Sequence, residues 1–229
     1  MAHQQSAIAE LVQRASAKLG KYQNTHAQSL LGTQNKLYNG VAGIAAMRSN
    51  PNSLLTPAAN ALQISRAANK LKDEAGKAKQ SVNNIYAQYM ISLDSSIAKI
   101  AGIQENQYAS EIRAAFRALP GAKRMSALAD VINTGNGAAF AALMFAPEIV
   151  TGIPTEQRIH LTNSFYLKVT AEQYQEQQDL KDAMECFDST INTTLGICNE
   201  YNNPVEIRKI EQEVSKAQDA SNKFNEAMG

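Results

Sequence analysis

The sequence predicts an all-α protein, and three observations support this. Residues that favour helices, such as Ala, Gln, Lys, Glu and Leu, recur throughout. Only six prolines occur, each close to a boundary that apolar periodicity suggests independently. No alternation of apolar and polar residues is long enough to require a strand. Because aromatic residues make up 6% and Trp is absent, closely packed helices suit the composition better than a large globular core.

The N-terminal segment, residues 1–55, predicts two helices at about 4–19 and 22–47. Gly20 can end the first helix, and the sequence SNPNS forms a loop after the second. The first residues show no basic region followed by an apolar one, so no signal peptide is expected.

Residues 56–119 predict one long helix. Thr56 is a suitable N-cap, Pro57 suits the first helical position, and no proline follows before Pro120. Gly76 and Gly102 are positions where this helix can bend. An apolar seam with four- and three-residue steps runs along it: Ile64, Ala68, Leu71, Ala75, Ala78, Val82, Ile85 and Tyr89, resuming at Leu93 and Ile97.

The rest of the chain predicts a short helical turn module at 120–155 and a second long helix from 155 to about 201. A turn at Pro204 precedes a terminal helix with a heptad stripe of Ile207, Ile210, Val214, Ala217, Ser221, Phe224 and Met228. Segments 1–55, 56–119, 120–155 and 156–229 are expected to form one continuous domain. The expected architecture is an elongated helical bundle with two long helices and coiled-coil-like seams.

The most apolar stretch, residues 135–154, contains one charged residue, Glu148. Its uninterrupted apolar run covers only 138–146, shorter than the ~20 residues of a membrane span. The first interpretation is a short buried helix with a tight connector. The alternative is an inserting hairpin at 138–153 with Pro147 near its tip. Six residues are candidates for membrane contact or docking: Phe140, Leu143, Met144, Phe145, Ile149 and Val150.

The net charge of +1 conceals an asymmetry along the chain. Residues 1–60 carry +4, 61–120 carry +3, 121–170 carry +1 and 171–229 carry −7. This pattern favours pairing of basic with acidic helices, within one chain or head to tail. Nucleic-acid contact by the basic half is a further hypothesis, although no Arg-rich run accompanies it.

The sequence contains no motif that predicts catalysis, a cofactor or a metal. The three histidines lie far apart, and no nucleotide-binding or nucleophile-elbow pattern occurs. Cys186 and Cys198 lie ~120° apart around one predicted helix, so they are not expected to form a disulfide. An acidic series is interpreted as a solvated face: Glu172, Glu176, Asp179, Asp182, Glu185 and Asp188.

The stretch RALPGAKRMSALADVINTGNGAAFAALMFAPEIVTGIPTEQR, residues 117–158, resembles a helical module of structural proteins from tailed bacteriophages. In that module a short amphipathic helix leads through a glycine turn to an Ala/Leu helix. Ala146-Pro147 and Thr151-Gly152-Ile153 match its connector. The resemblance carries no catalytic residues and implies a virion or assembly protein.

The first functional hypothesis is therefore a non-enzymatic virion protein, made in the host cytoplasm, that forms an ordered homo-oligomer. Portal or core proteins are expected partners, and DNA ejection is one expected role. The candidate interface residues are Val82, Ile85, Tyr89, Leu93, Ile97, Ile210, Val214 and Phe224. A second hypothesis is a membrane-active helical pore-former that inserts residues 138–153, and a third is an all-α enzyme.

Overall fold

The computed structural model describes residues 2–104, 107–202 and 204–228, except for the side chains of residues 2, 3, 204 and 206. It is 86% helical, and its described residues contain no strand, so the all-α prediction is confirmed. The described helices are α1 (Ala2–Leu19), α2 (Thr25–Ser49), α3 (Pro57–Ile100), α4 (Ala109–Ala118), α5 (Gly121–Thr134), α6 (Gly137–Met144), α7 (Glu148–Thr151), α8 (Thr155–Val169), α9 (Ala171–Glu200) and α10 (Pro204–Met228).

The prediction of one helix over 57–119 is wrong, because α3 ends at Ile100 and α4 begins only at Ala109. Gly102 adopts a left-handed φ of 63°. The Ile103 amide then donates to the Ala98 carbonyl at 2.9 Å, which closes a Schellman motif. Gly102 therefore ends the helix instead of bending it, whereas α3 is uninterrupted at Gly76.

The prediction of one helix over 155–201 is also wrong, because α8 and α9 are separate helices that meet at Thr170. This residue has φ −134° and ψ 42°, outside the helical region. Its hydroxyl donates to the Tyr166 carbonyl at 3.0 Å, and its own carbonyl accepts from the Tyr174 amide at 2.8 Å. Thr170 therefore closes α8 and opens α9.

The chain divides into two compact units that the segments predicted from the sequence did not anticipate. Unit 1 comprises residues 1–86 and 180–229, and unit 2 comprises residues 87–179. The boundaries fall inside α3 and α9, so each of these helices contributes residues to both units.

Unit 1 is built around α1, which packs on α2, together with the adjoining parts of α3 and α9. Inside it the Gln34 side-chain amide donates to the Thr190 hydroxyl at 2.9 Å, a buried polar link between α2 and α9. Its core consists of Ile8, Leu37, Val41, Ile44, Ala68, Leu71, Ala75, Ala78, Ile191, Ile197 and Cys198. Part of the predicted α3 seam is thus a face covered by this unit.

Unit 2 gathers the short helices α4 to α8. α4 contacts α5, α6 and α7, and α5 contacts α6 and α8. Its core consists of Ala101, Phe116, Leu128, Phe140, Leu143, Met144, Ile153 and Phe165. The apolar stretch at 135–154 supplies four of these eight residues, which explains why it is the most apolar part of the chain.

Candidate interaction surfaces

The apolar stretch is a buried helix followed by a tight connector, as the first interpretation held. Asn136 caps α6 by accepting from the Ala139 amide at 3.0 Å. Three of the six residues predicted for membrane contact or docking are buried in unit 2: Phe140, Leu143 and Met144. Within the described residues, no helix is both long and apolar enough to cross a membrane.

The other three of these six residues lie in the connector after α6. Phe145 is 61% exposed and Ile149 is 92% exposed, whereas Val150 is half-buried. Together with Pro147, Phe145 and Val150 also border an open cleft of about 880 Å³ in unit 2. The connector therefore presents apolar side chains to solvent, although the helix before it does not.

Arg158 of α8 fixes the shape of this connector. Its guanidinium donates to the carbonyl of Ile153 at 2.9 Å, to the hydroxyl of Thr151 at 3.3 Å and to the carbonyl of Ala146. Three hydrogen bonds from one charged group hold both ends of the connector. Phe145 and Ile149 are consequently exposed on an ordered turn.

The long seam that was predicted as an oligomer interface is largely covered by the chain itself. Val82, Tyr89, Leu93 and Ile97 are all buried, and Ile85 is half-buried. The Tyr89 hydroxyl also donates to the Glu176 carboxylate. Since these residues are packed against neighbours within one chain, their burial requires no second copy.

The apolar stripe of α10, in contrast, is mostly exposed to solvent. Every residue from 211 to 228 is exposed. Val214 is 41% exposed, Phe224 64% and Met228 74%, whereas Ile207 and Ile210 are half-buried. The heptad stripe of α10 thus lies in solvent over most of its length.

Tyr201 and Asn202, which follow α9, make side-chain hydrogen bonds within unit 1. The Arg48 guanidinium donates to the Tyr201 hydroxyl at 2.9 Å, and the Ser65 hydroxyl donates to the Asn202 side-chain oxygen at 3.3 Å. Asn202 also pairs with Asn69 through their side-chain amides. These contacts anchor the chain after α9 in unit 1.

Among the described residues, a basic and an acidic part of the chain meet in an ion pair of unit 1. The Lys18 ammonium lies 2.7 Å from the Asp182 carboxylate.

The predicted solvated acidic face is only partly exposed. Asp179 is buried, and its carboxylate accepts from the Gln175 side-chain amide at 3.1 Å. Glu172, Asp182, Glu185 and Asp188 are exposed, as that interpretation expected. No cluster of three or more His, Cys, Asp or Glu suited to a metal occurs among the described residues.

Both cysteines are free and buried on α9. Burial raises the pKa of the Cys186 and Cys198 thiols above the ordinary value of 9.0, because the charged thiolate is poorly solvated there. Burial likewise raises the pKa of Tyr166, with the nearby charge of Asp94 adding to the effect. These shifts stabilise the neutral forms and follow from packing.

No protein-family model, curated protein or solved structure matches the chain.

Sequence reasoning missed two features that shape these surfaces. The first is the start of α9, although Thr170-Ala-Glu-Gln173 has the spacing of a capping box. The second is the difference between a covered seam in α3 and an exposed seam in α10, for which the apolar spacing gives no signal.

Proposed function

We propose that the chain is a non-enzymatic structural or assembly protein that works as an ordered homo-oligomer, with α10 as its association helix. The observation that carries the proposal is the exposure of the α10 stripe at heptad spacing. Apolar side chains repeated every three and four residues are the arrangement by which one helix packs against another.

The charge of α10 favours a protein partner over a lipid surface. The helix carries four Lys or Arg and five Asp or Glu, a net charge of −1. Helices that lie on anionic membranes are typically rich in Lys and Arg on their polar face. A nearly neutral helix with mixed charges is instead typical of a helix that pairs with another helix.

The energetics favour association that depends on concentration. Ile207, Ile210, Val214 and Phe224 of two copies supply eight large side chains that are now partly exposed. Full burial of one such side chain contributes about 1.5–3 kcal/mol, and each is already about half covered. Completing the burial of all of them therefore contributes about 6–12 kcal/mol to association. Joining two molecules costs an estimated 4–15 kcal/mol, or roughly the same amount. The α10 contact alone therefore supports a reversible oligomer, which further contacts within an assembly would reinforce.

The resemblance of residues 117–158 directs the proposal to the virion of a tailed bacteriophage, with portal or core proteins as partners. Quantitative mass spectrometry of purified particles tests this part. A fixed copy number per particle is the expected result. Absence of the chain from particles that otherwise contain their full set of proteins would refute the virion assignment.

Paired charge substitutions on opposite faces of α10 test the association. Ile210→Asp with Val214→Asp places two charges in the stripe, and sedimentation velocity should then show only monomer. Gln212→Asp with Ser215→Asp adds the same charge to the polar face, so the oligomer should persist. Equal oligomerisation of the two double variants would show that the α10 stripe does not mediate association.

A membrane-active protein is the second candidate, and the exposure of Phe145 and Ile149 beside Pro147 favours it. Phe140 and Leu143 are buried, so substituting them would disrupt unit 2 and would not report on lipid contact. Phe145→Asp with Ile149→Asp should abolish co-sedimentation with phosphatidylcholine vesicles, whereas Leu54→Asp, at a side chain 90% exposed in unit 1, should not. If the wild-type chain fails to co-sediment with the vesicles, this candidate is discarded.

A further inference from the structure

We infer that α10 pairs with α10 of a second copy in antiparallel orientation, with Val214 of each copy facing Ala217 of the other. The inference rests on the proposed self-association and adds its geometry. Three properties of the helix support it: the size of the stripe residues, the positions of the charges beside the stripe, and the dipole of the helix.

The sizes of the stripe residues change along α10. Large residues fill its first half, at Ile207, Ile210 and Val214, and Ala217 and Ser221 follow. Phe224 restores a large side chain near the end. The sequence of sizes is therefore unsymmetrical, so parallel and antiparallel pairs differ in how well they pack.

A parallel pair places identical residues opposite each other. Ala217 then faces Ala217 of the second copy, and Ser221 faces Ser221 in the next layer. Two consecutive layers of small side chains leave unfilled space, while Phe224 against Phe224 in the following layer is the bulkiest of all. Gaps and overpacking both reduce the stability of a helix pair.

An antiparallel pair combines different residues in each layer. With Val214 facing Ala217 of the second copy, Ile210 faces Ser221 and Ile207 faces Phe224. In the central four layers a large side chain meets a small one, as efficient packing of facing positions requires. The two-fold axis lies between Val214 and Ala217, so the same stripe serves both copies.

The charges beside the stripe agree with this arrangement. Glu213 lies on one edge of the stripe and Glu211 and Gln218 lie on the other, whereas Lys216 lies on the polar side of the helix. Antiparallel pairing brings each edge beside the same edge of the second copy, so Glu213 lies beside the uncharged Ala220. On the other edge Glu211 faces Gln218, which avoids a like-charge contact. The antiparallel helix dipoles add a further favourable interaction.

Cysteine cross-linking in the full-length chain tests the orientation without altering the stripe. Glu211→Cys and Gln218→Cys are prepared as separate proteins, mixed, and treated with a short bismaleimide. Antiparallel pairing places positions 211 and 218 on the same edge of the pair, so the mixture should give covalent dimer and neither protein alone should. The unsubstituted chain, whose two cysteines are buried, measures the background.

A matched mixture of Glu213→Cys and Gln218→Cys reports the opposite orientation. These positions face each other only in a parallel pair, so this mixture should stay uncross-linked. Cross-linking here but not in the first mixture would overturn the antiparallel inference and leave self-association through α10 intact.

Light scattering on the same proteins before cross-linking separates this inference from the proposed function. An oligomeric mass without cross-linking in either mixture would mean that something other than α10 covers the stripe, which also overturns the inference. A monomeric mass at all concentrations, for the unsubstituted chain as well, would overturn the proposed function itself.

Discussion

The rings of Phe140 and Phe165 stack face to face in unit 2, with centroids 3.9 Å apart and planes inclined by 6°. Both side chains are buried. Their contact joins α6, the most apolar helix, to α8. The apolar stretch thus stabilises unit 2 from within, and only its connector is available to a partner.

Phe140→Ala should destabilise the protein by about 3–5 kcal/mol, since it removes one ring of this stack and leaves a cavity. Urea unfolding followed by circular dichroism measures the change. Phe145→Ala also removes a phenyl ring, but at an exposed site whose ring contacts that of Phe140 edge-on. The loss of unfolding free energy in this variant should therefore be about 1 kcal/mol or less. Equal costs for the two variants would contradict the burial described for α6.

Gly137 is expected to tolerate no side chain. A Cβ at this position would lie 1.8 Å from the Ala101 carbonyl oxygen and 2.7 Å from that of Gly102. Because backbone atoms cannot move aside cheaply, Gly137→Ala should destabilise unit 2 by about 1–3 kcal/mol or more.

Gly43→Ala is the matched control, because an added Cβ in the middle of α2 would meet nothing within 4 Å. Removing the entropic cost of a helical glycine should stabilise the protein by roughly 0.5–1 kcal/mol. Thermal unfolding should show a lower midpoint temperature for Gly137→Ala and a higher one for Gly43→Ala than for the unsubstituted chain. A stabilised Gly137→Ala variant would show that α6 does not approach the end of α3 so closely.

The two cysteines should react slowly with thiol reagents in the folded protein. Burial excludes the reagent and raises the pKa of Cys186 and Cys198 above 9.0, so little thiolate forms at pH 8. Iodoacetamide labelling followed by mass spectrometry should modify both residues rapidly once the chain is unfolded in urea. In the folded chain both residues should be modified only slowly.

Ionisation of these thiols also makes stability depend on pH in a defined direction. A folded-state pKa above that of the unfolded chain contributes stability that is complete below pH 9.0 and declines as the pH rises further. Replacing both cysteines by alanine should remove this part of the alkaline decline. An identical decline in the alanine variant would assign it to other groups.

Arg158→Met should loosen the connector after α6 without unfolding the chain. The variant loses charge-assisted hydrogen bonds to Ala146, Thr151 and Ile153, each worth about 1.5–3 kcal/mol at most. Hydrogen exchange should become faster for the amides of residues 147–153. Lys168→Met, an equivalent charge loss at an exposed site of α8, should leave these rates unchanged.

The sequence predicted the helical class and most helix boundaries because capping residues and apolar spacing are local signals. It failed at Gly102 and Thr170, where a helix ends inside a segment that the sequence predicts as one continuous helix. Left-handed geometry at glycine and a break at threonine depend on what the next helix can contact, and that is not a local property.

Apolar spacing also left the partner of each seam undetermined. The stripes of α3 and α10 have the same three- and four-residue steps, yet Val82 is buried within the chain and Phe224 is exposed. A heptad repeat states only that a helix has an apolar face. Which surface covers that face depends on tertiary packing, so the sequence assigned both stripes to an oligomer interface.

The molar mass of the chain, measured by light scattering over a concentration series, shows whether α10 mediates self-association. The monomer has a mass of 24.8 kDa. Self-association through α10 predicts a mass that rises with concentration to at least twice this value and returns to it in the Ile210→Asp, Val214→Asp variant. A wild-type mass of 24.8 kDa at every concentration would contradict it.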